Sequence, residues 1–271
     1  MEQVKTKSFE SFSFFKRLKS MLHVDFRRMF TMPLFYIMSA VALFIPILVL
    51  VMTTMMDGSV SVNPTTGVET VIEGFDNTWQ IIGSLSSSNS MMNMDLTSMC
   101  NVNLLYFIIA VFICIFVAED FRSGYSKNLF TRRSNKVDYV ISKSLVSFIS
   151  GSIMMILFLI GSVLGGLVTN LPFSLEGAGI GGLIMCMSSK IFLVLIFSSL
   201  AVLMSIISKT KSWLSILICL GSGMIFYTMI PMLTPLDSTV INLVISLIVG
   251  IIFSIGLGLI SNLVLNKTSL V

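Results

Sequence analysis

The amino-acid sequence predicts an all-α polytopic membrane protein. It has six transmembrane helices behind an interfacial amphipathic helix, and both termini lie in the cytoplasm. Three observations carry this. Of the 271 residues, 55% are hydrophobic and only 11% charged, about half the charged fraction of an ordinary soluble domain. The apolar residues form long unbroken runs, without the period near two or 3.6 that marks strands and helices with one buried face. Lys and Arg lie on one side of those runs.

A hydrocarbon core of about 30 Å takes about 20 helical residues, and the backbone hydrogen bonds must close within each segment. Six runs meet that requirement: Pro33 to Thr54, Asn101 to Ala118, Tyr139 to Thr169, Gly182 to Ile207, Trp213 to Leu233 and Val240 to Leu265. The third is long enough to tilt or to project into water. Residues 1–32 thus form an interfacial helix and 33–271 the membrane domain, with an outside loop over 55–100. No cleavable signal peptide is expected, because the first apolar run begins too far into the chain.

Lys and Arg are retained on the cytoplasmic side. Lys5, Lys7, Lys16, Arg17, Lys19, Arg27 and Arg28 precede the first run; Arg122, Lys127, Arg132, Arg133 and Lys136 follow the second, with Lys143 just inside the third. Lys209 and Lys211 join the fourth and fifth runs, and Lys267 follows the sixth. The alternate segments carry Asp57, Glu69, Glu73, Asp76, Asp95, Glu176 and Asp237 with no Lys or Arg. An even number of crossings satisfies this pattern. Lys190 stands apart and is expected to snorkel toward the outer headgroups.

Phe12, Phe15, Leu18, Leu22, Phe26 and Met29 recur every three or four residues, which draws one apolar helical stripe. Basic residues including Arg27 fall largely opposite, so this helix is placed among anionic headgroups, where it also offers a docking surface. In the outside loop, Ser59 to Val62 and Val68 to Val71 flank Asn63-Pro64-Thr65-Thr66-Gly67, the pattern of a small hairpin. Phe75 and Trp79 are placed at the membrane surface.

Catalytic signatures are absent. There is no Gly-Lys-Ser/Thr phosphate loop, no Gly-x-Ser-x-Gly elbow, and one histidine cannot make a His-Glu-x-x-His zinc helix. Gly177, Gly179 and Gly182 match a dinucleotide spacing, but no strand precedes them. Gly161 and Gly165 form a Gly-x-x-x-Gly pair that permits close helix approach. Cys100, Cys114, Cys186 and Cys219 lack metal-ligand spacing and are read as apolar fillers. The net charge of +4 is not laid out as a stripe for nucleic acid. Because the spans hold almost no ionisable group, energy for transport has to come from another subunit.

After the second run the chain reads Phe116-Val117-Ala118-Glu119-Asp120-Phe121-Arg122-Ser123-Gly124-Tyr125, then Lys127, Leu129 to Ser134, and Tyr139 through Lys143. An acid ending a span, a Gly five residues on, a basic amphipathic turn, then an aromatic and a Lys opening the next span: this resembles the permease subunits of type-2 ATP-binding-cassette (ABC) transporters. The interfacial amino-terminal helix, the six spans and a fifth span ending near Pro231 and Pro235 extend the resemblance. Arg133-Ser134-Asn135 stands where that family usually carries a Pro.

The resemblance implies that segment 119–138 is a coupling element seated in a cytosolic ATPase, with Glu119, Gly124, Arg132 and Arg133 as its residues. Glu119 would pair with a basic group, Gly124 would allow a sharp turn, and Arg132 and Arg133 would either meet acids on the partner or serve only positive-inside retention. Two such chains, identical or related, would enclose an export path. Two ATPases holding ATP and Mg would drive it in a bacterial plasma membrane, and this chain would catalyse nothing and bind no cofactor. Gly221, Gly223 and Pro231 mark a bending point in the fifth span. The competing functions are an ion-coupled carrier or channel, and a sensor or scaffold whose outside loop binds a ligand.

Overall fold

The computed structural model describes residues 14–62, 69–71, 74–83, 101–132, 136–175, 179–227 and 230–267. Helix α1 (Phe14–Thr31) meets α2 (Pro33–Met56) at an elbow where Met32 is extended and Pro33 opens the second helix; Pro suits a first turn because its missing N–H would have no partner there. Strands β1 (Val60–Val62) and β2 (Glu69–Val71) follow, antiparallel with Val60 opposite Val71, which is the hairpin expected from the turn residues. A 3-10 turn (Thr78–Ile81) and another (Val102–Leu104), capped by Asn77 and Asn101, lead to α3 (Leu105–Arg122). The remaining helices are α4 (Tyr125–Arg132), α5 (Val137–Thr169), α6 (Ile180–Ser208), α7 (Ser212–Tyr227), α8 (Ile230–Leu233) and α9 (Val240–Lys267).

Among the described residues, five helices are long and apolar enough to cross a bilayer: α2, α3 with its leading turn, α5, α6 and α9. This is the architecture of a multi-pass membrane protein. Of the run Trp213 to Leu233, α7 is described to Tyr227 and α8 from Ile230, and residues 228 and 229 lie outside the described residues. Helix α5, with 33 residues, reaches about 50 Å and overhangs a hydrocarbon core of about 30 Å.

Helices α3 and α6 form the centre, two thirds buried along their apolar windows, whereas α9 is only 11% buried and α2 22%. Helix α9 packs on α6, α2 on α5, and α3 on α6. Small residues set the closest approach. A Cβ on Gly161 would sit 2.1 Å from the Leu43 carbonyl oxygen and 2.7 Å from Pro46 Cγ; one on Gly165 would meet Leu50 Cδ1 at 2.8 Å. The glycine pair therefore seats α5 against α2, as small residues do where lipid provides no hydrophobic drive for association.

Charge sorts the two ends. At one end lie α1, α4 and the start of α5, and Lys136 Nζ donates to the Leu265 carbonyl at 2.6 Å, bringing the end of α9 to the same side. At the other end Thr78 N donates to the Pro172 carbonyl, Trp79 Nε1 to Phe173 O, and the Asn77 amide to Ser174 O. Phe75, Ile81 and Ile82 are buried there. The described part of the loop thus packs on the bundle, and Trp79 lies half-buried against Phe173.

Candidate functional site: a buried ion network at the basic end

Helix α1 turns an acid inward. Its buried positions are Met21, Asp25 and Met29, one helical face. The expected stripe lies beside this face: Leu18, Leu22 and Phe26 are half-buried, Phe15 is 77% exposed, and Arg27 is exposed. Phe12 lies outside the described residues. Met29 belongs to both the stripe and this face, and Leu22 and Phe26 pack against the core; Asp25, on the same inward face, finds its counter-ion in the bundle.

That counter-ion is Lys143 of α5, whose Nζ lies 2.8 Å from Asp25 Oδ1 and 2.7 Å from Asp120 Oδ2 of α3. All three side chains are wholly buried. Ser142 donates to Asp25 at 2.6 Å and Tyr139 to Asp120 at 3.0 Å. Arg28 reaches Asp120 at 2.5 Å and stacks over the Tyr125 ring at 4.3 Å, while Arg17 pairs with Asp138 at 3.1 Å. The Lys143 ammonium also lies over the Phe116 ring at 4.2 Å.

Three carboxylates thus meet three cations across α1, α3 and α5, and the network as a whole is neutral. Neutrality matters because a single unpaired ion removed from water costs several kcal/mol. Burial alone pulls the Arg28 guanidinium down, but the charge and hydrogen bond of Asp120 outweigh it and hold the group above its ordinary value. The network fastens α1 to α3 and α5 through directional contacts.

The acid at the end of α3 that does this is Asp120. Glu119 faces away, 43% exposed, with only Arg122 of the same helix nearby at 3.8 Å. Glu119 has its basic partner on its own helix; the two acids are adjacent, about 100° apart on the helix, and the bundle lies on the Asp120 side. Gly124 stands as expected. It adopts φ +72°, the left-handed region where a side chain is strained, and separates α3 from α4. Helix α4 is amphipathic: Leu129 and Phe130 pack on the core, and Lys127, Asn128 and Thr131 are exposed. Arg132 is the last residue of α4, its side chain outside the description, and Arg133 lies outside the described residues. A cavity of about 180 Å³ lined by Arg28, Thr31, Met32, Phe116 and Glu119 opens beside the network.

Lys190 departs from its expected place. It is 1% exposed, and its Nζ donates to Asn103 Oδ1 at 3.1 Å and Thr234 Oγ1 at 2.8 Å, so it points into the bundle and does not snorkel. Tyr106 donates to its carbonyl at 2.8 Å. Gly221 and Gly223 lie inside the unbroken α7; Gly223 packs on the Phe107 and Phe197 rings, and Gly221 faces open space. Pro231 is in α8. Cys114, Cys186 and Cys219 are buried thiols, and Cys100 lies outside the described residues. Among the described residues no cluster of His, Cys, Asp or Glu has the makings of a metal site.

No family model, curated protein or solved structure matches this chain.

Proposed function

We propose that this chain is the membrane permease subunit of an ATP-driven exporter of the type-2 ABC kind, with its basic end in the cytoplasm. The observation that carries the reading is the joining of α1, the end of α3 and the start of α5 by one buried ion network, immediately beside the Gly124 turn and the exposed face of α4. A push on α4 or α1 from a cytosolic ATPase then moves two membrane helices as a unit. Residues 212–233 supply the sixth crossing, with both termini inside. A second permease chain completes the path, two ATPases hold ATP and Mg, and Phe14, Phe15 and Phe30 on α1, which are exposed, enter the lipid interface. In this reading the chain performs no catalysis. Purification of the intact complex from its host membrane, followed by mass analysis, tests this. An ATPase chain in stoichiometric amount is expected; a chain that purifies alone and still transports in liposomes contradicts it.

An ion-coupled carrier is the second reading, favoured by the buried ionisable groups at Lys143 and Lys190. It predicts transport abolished by a protonophore with ATP present, whereas the exporter predicts transport that persists.

A further inference from the structure

The network of Asp25, Asp120 and Asp138 with Lys143, Arg28 and Arg17 is charge-balanced; the other buried lysine is not. Among the described residues, no carboxylate lies within ion-pair distance of Lys190. Its two acceptors, Asn103 Oδ1 and Thr234 Oγ1, are neutral, and Thr234 spends its own hydroxyl hydrogen on the Ile230 carbonyl at 2.8 Å. An ammonium has three N–H donors and no acceptor. Among the described residues, the third donor meets no acceptor, and neither does the Asn103 amide nitrogen. The orientation of Asn103 follows from this pairing, since only its oxygen can accept from Lys190. Two convergent donors, one of them the Lys190 ammonium, therefore share a buried spot where, among the described residues, no carboxylate makes an ion pair with the lysine.

The place in the fold fits a binding position. Lys190 is the eleventh residue of α6, about 15 Å along the helix from Ile180, so it sits well inside the membrane-spanning length. Three non-adjacent elements converge on it: the 3-10 turn before α3, α6, and the end of α8. Above it, Gly83 lies so close that a Cβ there would be 3.5 Å from the Thr234 carbonyl and 3.6 Å from Cys186 Sγ. Gly83 thus packs beside Thr234 and Cys186 at the edge of the site. Tyr106 stacks on Phe197 at 4.6 Å beside it, giving an apolar wall next to the cation.

We propose that Lys190, with Asn103, binds the carboxylate of an amphipathic molecule, whose apolar part lies against the Tyr106–Phe197 wall. A carboxylate accepts from two donors at once, which matches the free ammonium hydrogen and the Asn103 amide, and it neutralises the buried charge. The inference rests on the permease reading for its biological sense, because it names an anionic amphipath as the cargo class. Its test does not involve ATP. A failure here leaves the ATPase co-purification result untouched, and the reverse also holds.

The experiment is equilibrium binding of radiolabelled dodecanoate and dodecan-1-ol to the full chain in lipid nanodiscs, with empty nanodiscs subtracted. Dodecanoate should bind saturably and more tightly than dodecan-1-ol. Lys190→Met should weaken dodecanoate by about tenfold or more, the loss expected for one charge-assisted contact, and leave dodecan-1-ol unchanged. Thr234→Val keeps the ammonium but removes one of its acceptors, so it should hold dodecanoate more tightly than the wild-type chain; a lysine of purely structural role gives no such gain. Dodecan-1-ol binding as tightly as dodecanoate would overturn the proposal, and so would dodecanoate affinity unmoved or lowered in Thr234→Val.

Discussion

Lys143→Met removes the cation that two buried carboxylates share, and the geometry sets the size of the effect. Asp120 keeps Arg28 and Tyr139, but Asp25 is left with Ser142 alone. One uncompensated buried charge results, a loss of about 3–5 kcal/mol. Asp25→Asn is milder, because Lys143 retains Asp120, and costs about 1–3 kcal/mol through its lost charged hydrogen bonds. The double variant removes both the cation and the acid it would have stranded. It should therefore be more stable than the sum of the single losses implies, by about 2 kcal/mol. Chemical unfolding of the four proteins in mixed micelles measures the cycle. Strictly additive losses would show that Asp25 and Lys143 do not feel one another, and the network would not be what holds α1.

Other variants test separate parts of the account. Asp120→Asn should destabilise far more than Glu119→Gln, whose exposed pair with Arg122 is worth about 0.5 kcal/mol or less; equal thermal shifts would reverse the assignment of the pairing acid. Gly161→Ala drives a methyl into the Leu43 carbonyl and should cost about 1–3 kcal/mol by overpacking, while Gly256→Ala, with open space around it, serves as the neutral control in the same unfolding series. Gly124→Ala meets no steric contact, so its cost is conformational alone, about 1–2 kcal/mol, and Gly124→Asn should recover part of it. In the assembled transporter, Gly124→Pro should leave membrane insertion intact and uncouple ATP hydrolysis from transport; unaltered coupling would remove α4 from the drive path.

Where one physical term dominates, the sequence was readable. Bilayer thickness forces long apolar runs, so α2, α3, α5, α6 and α9 were visible from hydropathy. The turn chemistry around Asn63–Gly67 marked its hairpin, the Gly161–Gly165 spacing marked its contact, and Gly124 marked its turn. The candidate site was legible only in part, because it is made of pairings between residues more than a hundred positions apart in the chain, such as Asp25 with Lys143. A local reading assigns a lone Asp on an amphipathic helix to water and a lone Lys near a span end to the headgroups. Asp25 sits between Met21 and Met29 on the inward face, and that position is the signal available in the sequence alone. Asp120 was hidden behind its neighbour Glu119. For Lys190, the polar partners Asn103 and Thr234 come from separate runs, and periodicity carries no trace of them. Gly221 and Gly223 stay within α7, and Pro231 lies within α8.

The most direct measurement of the central claim is thiol labelling in intact cells with a membrane-impermeant maleimide, on a chain stripped of its own cysteines. Lys127→Cys reports the exposed face of α4, and Ser59→Cys reports the hairpin end. Labelling of position 59 in intact cells, and of position 127 only after permeabilisation, is the predicted outcome. The opposite pattern would put the ion network and α4 on the outer surface, out of reach of any cytosolic ATPase.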